Sequence, residues 1–354
     1  MKRIGGLWPE VIRFENLYLA YRKARRGKVR SPAVARFTLD LEGELLTLQR
    51  ELMYGDYRPG PYRLFTIYER KARHIAAAPF RDRVVHHAVM NVIEPPLDRR
   101  FIHDSYACRK GRGVHAAVDR YQAWSRRYPY VLKADVRQYF ASVDHAILKA
   151  KLRRYLKDRE LLALLDMIID TAPVEVGEKD LHYFPGDDLF TPFERPTGIP
   201  IGNLTSQFFA NLFLNEMDHF VKQALHARAY LRYVDDLVVL GKDKHWLHEV
   251  KAAIREHLER DRLRLHPRKA HVSHVARGID LFGYHVFPTH RRPRSDNGHR
   301  FARRFRGWAR AYRSGELDWD DFNPRVQSWI GHARHGETLG LREAIFGGTV
   351  FSRG

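Results

Sequence analysis

Two adjacent carboxylates stand between two runs of strand-forming residues near the middle of the chain, in Leu231-Arg232-Tyr233-Val234-Asp235-Asp236-Leu237-Val238-Val239-Leu240. Because Val, Tyr and Leu favour a half-buried pleated surface and Asp tolerates a tight turn, this stretch predicts a β-hairpin with the acidic pair at its tip. Two carboxylates held this close repel each other unless a cation lies between them, and Mg²⁺ takes oxygen ligands. A lone Asp-Asp pair is more often a solvated turn, so the metal-binding interpretation needs support from elsewhere.

The chain carries a large positive charge. Its 354 residues include 62 Lys and Arg against 42 Asp and Glu, which gives a formal charge of +20 and a pI near 10.1. Phosphate backbones are the expected partner of such a field. The sequence contains neither an apolar run of about eighteen residues nor the apolar core of a signal peptide, so we expect a cytoplasmic protein with no membrane partner. The single cysteine, Cys108, excludes an intramolecular disulfide.

A second predicted strand supplies a third acid. The stretch 130–140 has a strand-like composition and carries Asp135. Nucleotidyl transfer uses two metal ions about 3.5–4 Å apart, which activate the attacking hydroxyl and bind the triphosphate. One acid at a strand end and two on a neighbouring hairpin supply that geometry, with Asp135 and Asp235 as bridging ligands and Asp236 in support. Val136 belongs to the same predicted ligand set, for two Mg²⁺ ions with Mn²⁺ as a substitute.

Cations lie where phosphates would need them. Lys71 and Arg73 stand beside a predicted strand at 62–68 and are expected to bind the leaving phosphates of a triphosphate. Eight arginines fall between 291 and 310, and we expect the basic helical segment that begins near there to grip a duplex backbone. The predicted backbone-binding residues are Arg109, Lys110, Arg112, Arg303, Arg304 and Arg306.

The remaining pattern predicts helices and strands in alternation. We expect a helix from Asp40 to Tyr54, helical structure over 144–169, a helix over 245–260 and a strand-like segment over 279–287. A polar insertion at 173–196 has no assigned role.

These motifs resemble those of reverse transcriptases. Tyr233-Val234-Asp235-Asp236 resembles their YxDD box, and Ala134-Asp135-Val136 with Phe140 resembles their first palm motif. Other motifs follow in family order: a basic one with Arg73, Pro79 and Asp82-Arg83, one with Lys269, and a primer grip at Leu281-Phe282-Gly283-Tyr284.

The resemblance implies an RNA-directed DNA polymerase with an α+β right-hand fold, in which fingers and palm combine an antiparallel sheet with helices. The implied regions are an N-terminal helical extension (1–61), fingers (62–129), a palm (130–287) and a basic helical thumb (288–354). It also implies catalytic roles for Asp135, Asp235, Asp236 and Lys269, and a primer-grip role for Phe282, Gly283 and Tyr284.

A narrower resemblance concerns Ile199-Pro200-Ile201-Gly202-Asn203-Leu204-Thr205-Ser206-Gln207. It is similar to the variant motif of reverse transcriptases from diversity-generating retroelements, which ends in Ser-Gln. Most other reverse transcriptases have a glutamine where Ile201 stands. An aliphatic side chain packs near the incoming nucleotide but forms no hydrogen bond, so checking of the base pair should weaken. The resemblance implies error-prone copying opposite template adenines, with Ile201 and Gln207 among the nucleotide-binding residues. Ile201 as a plain packing residue remains the alternative.

Phe140 has a physical argument of its own. An aromatic ring beneath the sugar would collide with a ribose 2′-hydroxyl, the group that distinguishes RNA from DNA. Phe140 therefore predicts selection of deoxynucleotides.

Two other kinds of protein remain open. One is a different bacterial reverse transcriptase, of the group II intron, retron or antiphage type. Against the intron type, we expect no further domain after the thumb, because the chain ends within seventy residues of the grip. The other is a non-catalytic RNA-binding protein, although three retained acids in a basic cleft would weaken phosphate binding. The partners implied by the resemblance are a template-repeat RNA with its spacer, deoxynucleotides, the cDNA/RNA duplex and a small basic helical accessory protein that forms a ring.

Overall fold

The computed structural model describes residues 2–68, 72–171 and 182–353. Four helices come first: α1 (Trp8–Ile12), α2 (Phe14–Ala24), α3 (Pro32–Leu39) and α4 (Leu41–Tyr54). Asp40 caps α4, because its carboxylate accepts a hydrogen bond from the Gly43 amide at 3.2 Å. The helix predicted from Asp40 to Tyr54 is thus confirmed.

A two-stranded hairpin and a long helix follow. Strands β1 (Arg63–Tyr68) and β2 (Ala72–Ala77) pair antiparallel. The next helix, α5 (Phe80–Asp98), packs against α2, and α6 (Val114–Ser125) follows it. Tyr21 of α2, Phe37 of α3 and Phe80 of α5 form an aromatic cluster with ring centroids 5.2 to 6.2 Å apart. This cluster fastens the N-terminal helices to α5.

The central sheet has four antiparallel strands in the order β4-β5-β3-β6. Their bounds are β3 (Tyr130–Asp135), β4 (Tyr230–Tyr233), β5 (Asp236–Gly241) and β6 (His271–His274). Helix α13 (Lys244–Arg260) connects β5 to β6. The segment between β3 and β4 contains α7 (Tyr139–Ser142), α8 (His145–Tyr155), α9 (Arg159–Asp170), α10 (Thr191–Glu194), α11 (Leu204–Phe213), α12 (Asn215–His219) and a π-helical turn (Phe220–Ala224).

Both faces of the central strands β3 and β5 are buried, which explains why these two strands are mainly apolar. Leu132, Leu237 and Val239 face the main core beneath the helices. Val131 and Val238 face a second core that includes α6 and the next sheet. Since neighbouring strand residues point to opposite faces, a slip of one residue would exchange the two cores, so the register is fixed.

The C-terminal part combines a small sheet with three helices. Strands β7 (Ile279–Leu281), β8 (Tyr284–Val286) and β9 (Arg291–Pro293) form a three-stranded antiparallel sheet. Helices α14 (Ser295–Arg313), α15 (Trp319–Ala333) and α16 (Leu339–Phe346) enclose a separate aromatic core. The architecture is therefore mixed helix and sheet. None of the described helices has both the length and the apolarity that a membrane crossing needs.

The helical structure predicted over 144–169 is confirmed. It forms two helices, α8 and α9, because Leu156 leaves the helix to form a β-bridge with Ile4. The strand-like segment expected over 279–287 is the β7–β8 hairpin. Its turn residues Phe282 and Gly283 have φ values of 48° and 95°. Left-handed conformation at both turn residues reverses the chain tightly.

Candidate active site

The predicted hairpin exists, and its tip is strained. Tyr233 pairs with Asp236, so Val234 and Asp235 form a two-residue turn. Asp236 is the first residue of β5, and only Asp235 of the acidic pair lies in the turn. Val234 has φ 56°, a left-handed conformation that a β-branched side chain rarely adopts. Strain of this kind persists only where the surrounding structure imposes it.

The sheet brings the three predicted acids to one end. Asp135, the last residue of β3, pairs in register with Asp236 of β5. The Val136 amide donates a hydrogen bond to the Asp235 carbonyl at 3.0 Å. Two elements far apart in sequence thus place Asp135, Asp235 and Asp236 side by side, as the sequence predicted.

Burial and mutual repulsion act on these acids. Burial, followed by the negative charges of Asp236 and Asp135, raises the pKa of Asp235 to about 6. The pKa of Asp236 is also raised, mainly by burial and in part by Asp135. Lys269 opposes both shifts. The site therefore favours an added positive charge, since a nearby cation stabilises the ionised carboxylate.

Lys269 contacts this acidic group directly. Its Nζ donates a hydrogen bond to Asp135 Oδ2 at 2.9 Å, and the His266 amide donates to the Asp135 carbonyl at 2.7 Å. The segment that carries Lys269 thus runs beside the end of β3, bridged to it through Val136 and Leu265.

The donor set suits a hard divalent cation by its chemistry. Carboxylate oxygens are the ligands that Mg²⁺ prefers, and two of these carboxyls have raised pKa values that a cation would lower. Within 2–68, 72–171 and 182–353, no three His, Cys, Asp or Glu side chains form a ready-made metal cluster. The fit therefore rests on the type and charge of the donors.

A cavity of about 210 Å³ brings three of the predicted nucleotide-binding residues together. Arg73 of β2, Phe140 of α7 and Ile201 line it. Phe140 reaches the wall because Gln138 adopts a left-handed conformation, φ 45°, which turns the chain from β3 into α7. Lys71 lies outside the described residues.

The turn that carries Ile201 is held tightly. The Ile199 amide donates to the Phe140 carbonyl at 2.8 Å, and this bond joins the turn to α7. Gly202 has φ 110°, and a Cβ there would lie 3.0 Å from Ile75 of β2. Ile201 itself is 37% exposed. Gln207 is exposed on α11 and is not among the residues that line the cavity.

The predicted primer grip divides into two parts. The Phe282 ring lies 4.7 Å from the Tyr233 ring, so the turn at Phe282 and Gly283 adjoins the hairpin tip. Tyr284 is fully buried, and its hydroxyl donates to the His332 carbonyl at 2.9 Å. Its ring is therefore unavailable to a primer and instead joins the small sheet to α15, which corrects the sequence prediction.

The predicted backbone-binding cations also differ in their surroundings. Arg109 is nearly buried, with Nε 2.5 Å from an Asp98 oxygen and Nη1 bonded to the Ile102 and Ser105 carbonyls. It stabilises its own loop, so its prediction as a phosphate ligand is wrong. Lys110 is exposed, while Arg112 is half-buried and contacts His103.

The three arginines of α14 are exposed. Arg303 and Arg304 line a groove of about 1060 Å³ that also includes Tyr68 of β1. Arg306 lies in a neighbouring groove with Arg303.

Sequence reasoning missed Arg232. This residue precedes the hairpin tip, is fully buried, and forms an ion pair of 2.7 Å with Asp218. A charged residue inside an otherwise apolar, doubly buried strand was the available signal.

Comparison with known proteins identifies the family. Residues 67–286, well over half of the chain, match the reverse transcriptase (RNA-dependent DNA polymerase) family. The chain belongs to the reverse transcriptase family. It is thus an RNA-directed DNA polymerase by family.

Relatives of this reverse transcriptase include a bacterial protein and a group II intron-encoded protein. It is 27% identical to Protein YkfC of Escherichia coli (strain K12) over 283 residues, 69% of this chain and 71% of that protein. It is 23% identical to the Group II intron-encoded protein LtrA of Lactococcus lactis subsp. cremoris, over 61% of this chain and 35% of LtrA. The match therefore spans only about a third of LtrA.

A solved structure of telomerase from Candida albicans, in complex with a fragment of telomeric RNA, is similar at 14% identity and a TM-score of 0.47. The match covers 67% of this chain and 46% of the telomerase chain.

The raised pKa of Asp235 predicts a gain in stability on removal of its charge. Because its pKa in the folded chain, about 6, exceeds the ordinary value of 3.8, the protonated carboxyl favours folding. That contribution is complete below about pH 4 and is lost as the pH rises through about 6. Asp235→Asn should therefore raise the free energy of unfolding at pH 8 by up to about 3 kcal/mol.

The measurement is unfolding by denaturant in the presence of a chelator, at pH values from about 4 to 8. The difference in free energy of unfolding between the Asn variant and the unmodified chain should disappear toward about pH 4, where both side chains are neutral. Asp188→Asn is the control, because the pKa of this exposed carboxyl is lowered by its hydrogen bonds to Thr191, so its loss should bring no gain. Equal stability of Asp235→Asn and the unmodified chain at about pH 8 would contradict the raised pKa of Asp235.

Proposed function

We propose that this reverse transcriptase belongs to a diversity-generating retroelement and copies a template-repeat RNA into cDNA with errors directed to template adenines. The observation that supports the proposal most directly is the position of Ile201. It lines the same small cavity as Arg73 and Phe140. An aliphatic residue beside an incoming nucleotide offers no hydrogen bond with which to check the base pair.

The proposed regions of the enzyme are those of a right hand. Residues 62–129 are the fingers, 130–287 the palm and 288–354 the thumb, after an N-terminal helical extension at 1–61. The pairing of β9 with β8 carries the palm's small sheet across position 288. In the insertion at 173–196, residues 173–181 lie outside the described residues, and Arg195 contacts Asp144 at 3.6 Å.

In the proposed reaction, Asp135 and Asp235 would hold the divalent cations, with Asp236 and Val136 in support. Two Mg²⁺ ions, or Mn²⁺ in their place, would supply activation of the primer 3′-hydroxyl and charge neutralisation on the triphosphate. Arg73 binds the triphosphate from the β2 side of the cavity. Phe140 supports the sugar, and the turn at Phe282 and Gly283 positions the primer end beside Tyr233.

Lys269 is proposed to act on the reacting phosphates. Its ammonium pairs with Asp135 at 2.9 Å, while its side chain remains 48% exposed. A half-exposed lysine at the edge of an acidic site can contribute positive charge where the leaving group develops negative charge.

The groove between Tyr68 and the C-terminal helices is the proposed path of the cDNA/RNA duplex. Arg300, Arg303, Arg304 and Arg325 line it, together with Trp308 and Trp329. Arginines neutralise backbone phosphates without regard to sequence, as copying of any template requires. Lys110, Arg112 and Arg306 extend the basic surface.

The remaining partners rest on the same proposal. They are the spacer of the template-repeat RNA, the four deoxynucleotides and a small basic helical accessory protein that forms a ring, all in the cytoplasm. A group II-type reverse transcriptase fits the likeness to YkfC and LtrA equally well, and the pattern of errors distinguishes the two.

Primer extension on a defined RNA template with Mg²⁺ and the four deoxynucleotides tests the activity. The unmodified chain should extend the primer, and sequencing of the products should show errors concentrated opposite adenine.

Asp235→Asn combined with Asp236→Asn should reduce extension by about 10³-fold or more, because both side chains lose the negative charge that attracts the cations. Intact extension by this double variant would rule out the proposed site.

Phe140→Ala should admit ribonucleotides. Without the ring, a 2′-hydroxyl no longer meets a steric barrier, so ribonucleotide incorporation should rise about 10- to 200-fold relative to deoxynucleotides. The measurement is the ratio of kcat/KM for a matched ribonucleotide and deoxynucleotide. Phe190→Ala, which removes an aromatic ring that is 63% exposed outside the cavity, should leave the ratio unchanged. An unaltered ratio in Phe140→Ala would remove this role.

Ile201→Gln should restore accuracy. A glutamine can hydrogen-bond near the incoming nucleotide, and a contact of this size changes discrimination by about 10-fold. Errors opposite template adenine should fall by that factor while total extension persists. Ile201→Leu keeps an aliphatic wall and should keep the error rate. Equal error rates for the Gln and Leu variants would assign Ile201 to packing alone.

A further inference from the structure

The strand that leads into the acidic tip contains a fully buried arginine. Arg232 lies in β4, directly before Tyr233, and has no exposed surface. A guanidinium carries five N–H donors, and each one left without an acceptor in the protein interior costs free energy. The hydrogen-bond acceptors that surround Arg232 therefore indicate the role of its side chain.

The structure provides an acceptor for every one of these donors. Nε donates to both oxygens of Asp218, at 2.8 and 3.0 Å, and Nη2 donates to Asp218 Oδ2 at 2.7 Å and to the Asn211 carbonyl at 3.1 Å. Nη1 donates to Asn211 Oδ1 at 3.2 Å and to the Val234 carbonyl at 2.9 Å. Four of the five donors are thus anchored to residues of α11 and α12, and the fifth holds the tip.

The anchors are themselves fixed. Asp218, also fully buried, accepts a hydrogen bond of 2.6 Å from the Tyr230 hydroxyl. Asn211 donates from its side-chain amide to the Ala107 carbonyl at 2.8 Å. The main chain of Arg232 is paired as well, since its amide donates to the Asp104 carbonyl at 2.9 Å. The guanidinium cannot shift without breaking bonds in the core.

Stability alone is a poor reason for such a group. A buried ion pair is often replaced by apolar residues at no cost to the folded state, because desolvation offsets the attraction. The contact with Val234 is different in kind. Val234 holds φ at 56° in the two-residue turn, and a valine released from outside constraint leaves that conformation. The carbonyl bound by Arg232 belongs to this strained residue.

We propose that Arg232 is a positioning residue that, anchored by Asp218 and Asn211, holds the Val234 carbonyl and thereby keeps the hairpin tip in the turn that presents Asp235. The inference rests on the proposed catalytic role of Asp235. Lysine cannot substitute, because a single ammonium has three donors at one point and lacks the planar fork that spans Asp218, Asn211 and Val234.

The test compares Arg232→Lys with the unmodified chain by two readouts. Hydrogen exchange of the amides at 234–236, measured without metal or nucleotide, should accelerate about tenfold or more as the tip loosens. In primer extension, kcat should fall about tenfold or more while KM for the deoxynucleotide stays within about twofold, because the nucleotide cavity is untouched.

A second substitution distinguishes positioning of the hairpin tip from a role in folding alone. Asn adopts left-handed conformations far more readily than Val. Arg232→Lys combined with Val234→Asn should therefore recover most of the lost kcat and slow the exchange at the tip, judged against Val234→Asn alone. A residue needed only for folding would show no such rescue, so absence of rescue overturns the proposal.

Lys151→Met is the matched control. Lys151 is another buried cation, 2.6 Å from Asp261 and 2.8 Å from the Phe213 carbonyl, and it has no contact with the tip. Its loss should lower stability and leave both kcat and the exchange at 234–236 unchanged. Faster exchange at the tip in this variant would show that loss of any buried cation has the same effect, and would overturn the specific role of Arg232.

If Arg232→Lys does not fold, Arg232→Met with Asp218→Asn removes both charges and retains an acceptor for the Tyr230 hydroxyl. Rapid exchange at the tip of this folded variant supports the proposal, and slow exchange refutes it. An unmodified chain that extends no primer refutes the proposed function instead, while the exchange measurement still reports on Arg232.

Discussion

The site of this reverse transcriptase depends on carboxylates that are buried together and cannot move apart. Asp135 and Asp236 are paired across a sheet whose register is fixed by cores on both faces, and Asp235 is tied to the same strand end through the Val136 amide. Burial, and after it the negative charges of Asp236 and Asp135, raise the pKa of Asp235. An acidic group under such constraint attracts positive charge before any substrate arrives, and Lys269 already contributes some.

Backbone strain is concentrated around the same place. Three of the non-glycine residues with left-handed conformation stand at turns that shape the site: Gln138 before Phe140, Val234 at the hairpin tip, and Phe282 beside Tyr233. Each turn changes the direction of the chain more sharply than its side chain prefers. The helices and sheets around them supply the packing that maintains these conformations, so the rigid core and the strained site depend on each other.

The sequence predicted the parts of the site that depend on local pattern. The runs of strand-forming residues on either side of Asp235 and Asp236 indicated the hairpin, and the strand that ends at Asp135 followed from the same composition. Long-range contacts explain the errors. Nothing local shows that Leu156 pairs with Ile4, that Asp98 sequesters Arg109, or that Tyr284 is covered by α15. The role of Arg232 could not be predicted for the same reason, because its hydrogen-bond acceptors come from helices elsewhere in the chain.

The small sheet has a consequence for dividing the enzyme into parts. Strand β9 supplies the outer edge of β8 through Arg291, Arg292 and Pro293, and the Arg294 amide donates to the Gly283 carbonyl at 3.0 Å. A chain cut between 288 and 294 would leave the edge of β8 with unsatisfied amides and carbonyls, which is a template for aggregation. The turn beside Tyr233 would also lose the hydrogen bond that the Arg294 amide donates to the Gly283 carbonyl. A shortened enzyme that stays soluble must therefore retain the chain through Arg294.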